Sequence, residues 1–475
     1  MTYRYHQINL ASTALPELRR RGLNVGSFAR DGLQPRIVHV GVGGFHRSHL
    51  ASYCDDLAND GSDWGICGVG LLPQDAGMCD ALAQQDFLYT LTTRDARGSD
   101  HRVIQSLVGF ELGLDDISAV VRRIAAPTTA ILSLTVTEAG YDDSEASRRT
   151  FAIIGKGLLR RKEEGIGGLT VLSCDNLSAN GDRARESLTA AVAAISTDLV
   201  DWVSDNCSFP NSMVDRITPV TTEFDRRDLV DTFGLIDRWP VRAERFRQWV
   251  VEDDFVAGRP EFETCGVIFT DDVESWERHK LRLLNAAHSL IAFPAALAGL
   301  ETVDAVIADR SFSRFVEQFQ ATEAMPTLPA LQGLDANEYS AEVRDRFANP
   351  AISDQVARLC TDGTSKVATY LAPIIDDALD AGTPIDCIMF SIAAWSIYLA
   401  TIEEQHLAAD QSLPIIQPIA IAALDDPMKF MNSNIGLSNR AISSTLVTER
   451  FCFWHHAIRS VGVAAALEHL LGSSV

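Results

Sequence analysis

The sequence predicts two domains, an α/β domain built on a mostly parallel sheet and then a mainly α-helical domain. Three observations carry this. At 475 residues the chain is too long for one compact core. Up to about residue 275, short apolar runs alternate with amphipathic helical stretches. Beyond that point strand signals nearly vanish and apolar residues recur at helical spacing. The expected domains are therefore 1–275, including an N-terminal arm, and 276–475.

Residues 1–35 are polar and broken, end in Asp31-Gly32-Leu33-Gln34-Pro35, and read as that arm. Ile37-Val38-His39-Val40 is a short strand running into Gly41-Val42-Gly43-Gly44-Phe45. A helix is expected from His46 to Leu57, and a turn at Asn59-Asp60-Gly61. Gly65–Leu72 reads as the second strand, with later strands at Phe87–Thr92, Ala130–Thr137 and Leu169–Ser173. The Arg- and Lys-rich stretch Ser144–Glu164 is a long helix between the last two. In the second half, periodicity predicts helices over Leu283–Leu300, Val303–Gln318, Ser340–Phe347, Ile352–Leu359, Ile385–Glu404 and Glu449–Leu471.

Composition narrows the class. A net charge of −23 argues against nucleic-acid binding, which needs a basic footprint. No apolar run approaches the ~20 residues of a membrane span. The nine cysteines form no CxxC pair and no cluster with histidine, and an odd number cannot all pair, so reduced thiols in the cytoplasm are expected.

Gly41-Val42-Gly43, between a buried strand and a helix, starts a dinucleotide-binding turn. The first glycine allows the tight turn and the second lets the backbone approach a pyrophosphate, with the helix N-terminus supplying free N–H groups. The full G-x-G-x-x-G pattern fails, because His46 stands at its sixth position. An acid ending the second strand would hold the adenine ribose 2′-hydroxyl and favour NAD over NADP; Asp75 is the candidate, though a solvated loop acid fits as well.

Trp276–His288 supplies the chemistry. At ~100° per residue, Glu277, Lys280, Asn285 and His288 fall at about 60°, 0°, 140° and 80° around the helix, on one side with Leu281 and Leu284. Desolvating a lysine lowers its pKa toward neutrality, which suits a proton-transfer catalyst. The segment alone also fits an amphipathic helix whose lysine snorkels to water. Other schemes fail by absence: none of the eight tyrosines has a lysine four residues later, the cysteines suggest no zinc site, and no G-x-S-x-G elbow occurs.

Gly41-Val42-Gly43-Gly44-Phe45-His46-Arg47, Thr137-Glu138-Ala139-Gly140-Tyr141, Ser173-Cys174-Asp175-Asn176-Leu177, Val214-Asp215-Arg216-Ile217-Thr218-Pro219 and Lys280-x4-Asn285-x2-His288 occur in this order. Together they resemble the mannitol dehydrogenase family of polyol-specific long-chain dehydrogenases, from about residue 36 to beyond residue 366. The resemblance implies a Rossmann-type first domain, a helical second domain and an active site in the cleft between them. It implies metal-free, NAD(P)-dependent interconversion of a sugar alcohol and a ketose, with D-mannitol and D-fructose leading. D-arabinitol, sorbitol and fructuronate are rival substrates, and a non-catalytic dinucleotide sensor is the rival from another class.

By the same resemblance Lys280 is the general base, Asn176 and Asn285 donate to the reacting oxygen, and Glu277 relays the proton to solvent. His288, Asp215, Arg358 and Lys366 match positions that hold the other hydroxyls. Gly41, Gly43, Gly44, Phe45, Arg47, Asp75, Thr137 and Glu138 would bind the cofactor. Several have a plainer reading beside them, Glu138 as an anchor of the strand end. Asn176 also fits a turn or helix cap, Asp215-Arg216 a surface ion pair, His288 a core histidine, and Arg358 and Lys366 a solvated face. One departure matters: Gln74 stands where strict NAD users place a first acid, which leaves NADP use possible. The two-lobed design works as a monomer, the state expected here.

Overall fold

The computed structural model describes residues 5–472 apart from 115, 143, 404, 406 and 434. The chain falls into two compact units, Met1–Glu274 and Ser275–Val475.

The first unit is built on five parallel strands, β1 (Gln34–Val40), β2 (Trp64–Gly70), β3 (Leu107–Leu112), β4 (Ile131–Leu134) and β5 (Thr170–Ser173). Their spatial order is β3-β2-β1-β4-β5, a doubly wound Rossmann order with its switch point beside β1. The sheet is covered on both faces, and strand periodicity shows why. Ile37, Ile66, Ile131 and Leu172 pack into the core on one face with Tyr53, Leu57 and Trp249. Their neighbours Val38, Val40, Val69, Leu132 and Val171 pack into the other, with Leu158 and Leu188.

Several elements depart from the sequence expectation. The strand expected at Phe87–Thr92 is Tyr89–Asp95, and it belongs to a separate four-stranded sheet, antiparallel to Gly98–Ile104. β3 carries no clear apolar alternation, and the sequence did not announce it. The arm is not loose: Leu10, Leu18 and Leu23 are buried, and Ile8–Asn9 pairs with Leu235–Ile236. The helix expected from His46 to Leu57 breaks at His49 (φ −105°, ψ −91°) into α1 (Gly44–Ser48) and α2 (Leu50–Asn59). α3 (Asp75–Ala83) follows β2, and α4 (Glu145–Glu163) is capped by Ser144, whose side chain accepts from the Ser147 amide. A three-stranded sheet joins β6 (Ser212–Asp215), β7 (Gln248–Val251) and β8 (Ile268–Phe269).

The second unit is helical. α5 (Val273–Lys280) runs through a π turn, Leu281–Asn285, into α6 (Ala286–Leu297) as one rod. The helix expected over Val303–Gln318 is two, α7 (Val303–Ala308) and α8 (Arg310–Phe319), because the Asp309 side chain accepts from the amides of Ser311 and Phe312 and starts a new helix. α9 is Ala336–Phe347; of Ile352–Leu359 only the end is helical, in α10 (Val356–Cys360), after Ser353 at φ 51°. The short α11 (Gly363–Lys366) leads into a second π turn, Val367–Leu371, and a third spans Gln320–Ala324. Both pack against the first. The core is α12 (Asp386–Thr401) against α13 (Thr445–Gly472), which is broken by a kink at Gly462 (φ 81°, ψ 161°), with Phe390, Trp395, Phe430 and Phe451 fully buried. Glu404, the expected end of α12, lies outside the described residues. Among the described residues no helix is long and apolar enough to cross a membrane.

Candidate active site

In the first unit, β1 delivers the chain into the glycine turn at the switch point. Gly41 sits at φ +89°, and a Cβ there would lie 2.2 Å from the Thr135 carbonyl oxygen, so no other residue fits. The Thr135 hydroxyl donates to the Gly41 carbonyl at 2.7 Å and fixes the turn. At Gly43 a Cβ would meet only the Gly41 oxygen, at 3.8 Å. The protein leaves that space unfilled, which fits a dinucleotide backbone passing over it. His46 explains the broken glycine pattern: the third glycine normally lets helix and strand pack closely, whereas here the His46 ring stacks on His39 of β1 at 3.5 Å. Burial holds both rings far below their ordinary pKa, so this pair is uncharged. Phe45 stacks on His49 at 4.9 Å and closes the inner side of the turn.

Arg47 corrects the sequence reading. Its guanidinium turns into the domain interior, donates to the Trp239 carbonyl at 2.6 Å and lies over the Tyr89 ring. It braces the turn from within and presents no charge above it. Asp75 opens α3, and its Oδ2 accepts the amides of Leu71 and Leu72, both at 2.9 Å. The carboxylate is thereby fixed at the end of β2, where a ribose-binding acid belongs.

Thr137, Glu138 and Asn176 come together at the carboxyl ends of β4 and β5, through a residue the sequence reading passed over. The buried Asp175 accepts the Thr137 amide at 2.7 Å, the Val136 amide at 3.2 Å and the Tyr141 hydroxyl at 2.7 Å. That clamp keeps Thr137 at φ +65° and leaves Thr137, Glu138 and Asn176 exposed. The buried Asn180 extends it, donating to the carbonyls of Asp175 at 2.9 Å and Ser212 at 2.8 Å, so β6 and its terminal Asp215 join the same group. Asp215 and Arg216 are both buried, not a surface pair. The Arg216 guanidinium donates to the Glu244 carbonyl at 2.9 Å and to that of Ser48, which ties β6 to α1.

In the second unit the π turn decides the geometry. Lys280 precedes it and Asn285 ends it; the Ala286 amide donates to the Leu281 carbonyl, five residues back. Such a turn takes in about one residue more than an α turn. At α spacing Asn285 would stand about 140° from Lys280; the wider turn reduces this to roughly 50° and brings His288 to within about 10°. The four groups thus occupy a narrower arc than the uniform helix of the sequence reading. Lys280 is buried, and among the described residues the buried Oδ1 of Asn285 has no hydrogen-bond partner. A buried unpaired acceptor costs about 1–3 kcal/mol; Oδ1 suits a ligand hydroxyl that donates to it, while the amide Nδ2 is the group that can donate.

His288 stacks on Phe347 at 4.0 Å, and burial pushes its pKa down to about 3, so the ring is neutral. Asp354, Arg358 and Lys366 lie within its electrostatic reach. The Arg358 Nε donates to Asp354 at 2.7 Å and its Nη2 to the other carboxylate oxygen. The Lys366 Nζ donates to the carbonyls of Leu359 at 2.9 Å and Arg358 at 3.2 Å. Asp354 was missed; its one signal was the i, i+4 spacing to Arg358.

Residues 35–264 match the family description "Mannitol dehydrogenase Rossmann domain" and residues 272–447 match "Mannitol dehydrogenase C-terminal domain". Mannitol 2-dehydrogenase of Aspergillus fumigatus is 40% identical over 426 residues, 83% of this chain and 85% of that protein. The Pseudomonas fluorescens mannitol 2-dehydrogenase, solved as a ternary complex with NAD and D-mannitol, matches with a TM-score of 0.87 at 34% identity, over 98% of this chain and 100% of that one. A D-sorbitol dehydrogenase in substrate-free form gives 0.88 at 32% identity, over 97% and 100%. The chain belongs to the mannitol dehydrogenase family. It is an NAD-dependent oxidoreductase acting on CH–OH groups.

Proposed function

We propose that the chain is a zinc-independent polyol 2-dehydrogenase, with D-mannitol and D-fructose as its substrate pair. The carrying observation is the π turn that sets the Asn285 amide close in angle to the buried Lys280. In this reading Lys280 takes the proton of the reacting hydroxyl, and the amides of Asn285 and Asn176 donate to the oxygen as charge develops on it. One such preorganised donor contributes roughly 3–4 kcal/mol to the transition state. Glu277, one helical turn before Lys280, passes the proton to solvent. NAD, when bound, would supply the hydride acceptor for the same carbon. Gly41, Gly43, Gly44, Phe45, Thr137, Glu138 and Asp75 would hold it, with Asp75 on the ribose, and Gln74 leaves room for some NADP use.

His288, Asp215, Arg358 and Lys366 hold the remaining hydroxyls. A neutral substrate suits them better than a uronate. A substrate carboxylate calls for an unengaged cation, whereas Arg358 is committed to Asp354 and Lys366 to two carbonyls. Sorbitol is the second reading, favoured by the match to a D-sorbitol dehydrogenase; D-arabinitol differs again only in hydroxyl placement. A cytosolic monomer without nucleic-acid or membrane partners completes the proposal.

The test is absorbance at the reduced-nicotinamide band, with NAD⁺ or NADP⁺ against mannitol, sorbitol, arabinitol and xylitol, and the reverse reaction with fructose and fructuronate. Turnover of mannitol and fructose that resists chelators is expected. Activity on sorbitol or arabinitol alone would move the substrate assignment, and on fructuronate alone the branch. Cofactor binding with no turnover would leave a sensor.

A further inference from the structure

We propose that Gln320 is a positioning residue for the reaction, holding the π turn that sets Asn285 against Lys280. The inference rests on the roles given above to those two residues. Leu283 lies in the middle of the turn and is fully buried. A π turn displaces the regular amide partners of its carbonyls, and a buried carbonyl needs a donor. The Leu283 carbonyl receives one from the Nε2 of Gln320, at 2.9 Å. Gln320 is itself fully buried, and its Oε1 accepts from the Nη1 of Arg344 on α9 at 2.6 Å.

Packing alone gives no reason for an amide here. A buried amide in apolar surroundings is costly unless both its ends are bonded. In this place both are, one to Arg344 and the other to the turn carbonyl. Gln320 also opens the π turn Gln320–Ala324, so the two irregular turns are joined through a side chain. Without that donor, the buried Leu283 carbonyl loses a partner inside the turn, and the segment is freer to resume α pairing. Resumption would swing Asn285 from roughly 50° back to about 140° from Lys280. The damage would fall on the chemical step, because none of the dinucleotide-binding candidates lies in this unit.

The experiment compares full-length Gln320→Glu and Gln320→Leu with the unaltered enzyme. A glutamate beside Arg344 stays ionised, keeps the volume and the Arg344 bond, and has nothing to donate to Leu283. Leucine removes both bonds. kcat is measured on the polyol that the panel identifies, with the deuterium isotope effect for that polyol labelled at the reacting carbon, alongside NADH affinity by fluorescence and thermal unfolding. The expected result is a fall in kcat on the order of 100-fold in both variants, the loss of about one oriented donor, with a larger isotope effect and NADH affinity within about twofold. A folded Gln320→Glu enzyme with wild-type kcat overturns the proposal, and so does a parallel loss of NADH affinity and melting temperature. Should the leucine variant not fold, the glutamate variant decides. Lys280→Ala separates the two levels: if it turns over normally, the reading of Lys280 falls; if it is inactive while Gln320→Glu is not, only the positioning role falls.

Discussion

A methyl group added at Gly41 would lie 2.2 Å from the carbonyl oxygen of Thr135 and 2.9 Å from its carbon, on a residue whose φ is +89°. The left-handed backbone costs a non-glycine residue roughly 1–2 kcal/mol. Moving Thr135 aside adds about 1–3 kcal/mol, the usual toll of overpacking. Gly41→Ala is therefore expected to lose about 2–5 kcal/mol, a drop in melting temperature of roughly 5–20 °C for a domain of this size. Gly43 behaves differently. Its φ is −124°, and a methyl there meets only the Gly41 oxygen at 3.8 Å. Gly43→Ala should leave stability within about 0.5 kcal/mol of wild type. Its cost appears only when a dinucleotide closes on that backbone: an intruding methyl worth about 1–3 kcal/mol weakens NADH roughly 5- to 150-fold. Thermal unfolding and NADH fluorescence titration on both variants read the two effects separately. Wild-type NADH affinity in Gly43→Ala would remove the pyrophosphate from this turn, and an unchanged melting temperature in Gly41→Ala would refute the steric argument.

Lys280→Ala should lose most turnover while binding NADH as before; near wild-type rates would sink its role as base. Asp75→Ala frees the amides of Leu71 and Leu72, so it should cost about 1 kcal/mol of stability and raise NADP use relative to NAD; an unchanged ratio of kcat/KM values would remove Asp75 from ribose recognition. Glu323 accepts the amides of Cys387 and Ile388 at the start of α12, and burial raises its carboxyl from 4.5 to about 7. The folded state therefore holds that proton more tightly than the unfolded chain. The resulting stabilisation, about 3 kcal/mol, is complete below pH 4.5 and is lost as pH rises toward 7. Glu323→Gln cannot ionise, so its melting temperature should gain on the wild type between pH 5 and 8; a constant difference would contradict this.

The doubly wound sheet was legible because buried parallel strands such as Ile37–Val40 and Ile131–Leu134 are written as apolar runs with a glycine turn at the switch point. Breaks in the expected helices went unseen where one side chain acts alone, as Asp309 does between α7 and α8. In the site, the glycines and Lys280 stood out through spacing. Asp175 did not, because a clamp between two loops has no local period. Arg47 misled, since a basic residue after a glycine turn looks the same in sequence whether it faces phosphate or the Trp239 carbonyl. The π turn was invisible for a simpler reason: helical angles read from sequence assume a uniform advance per residue, and only coordinates reveal where that advance changes.

The turn also sets a rule for copying this helix. Every position after it is offset by one from a regular α register. An alignment with a chain lacking the turn, made without a gap, places Asn285 and His288 one residue out. A designer grafting the group onto a straight helix would remove one residue between Lys280 and Asn285. The lysine, amide and imidazole would then sit at i, i+4 and i+7, the spacing that keeps three side chains on one stripe.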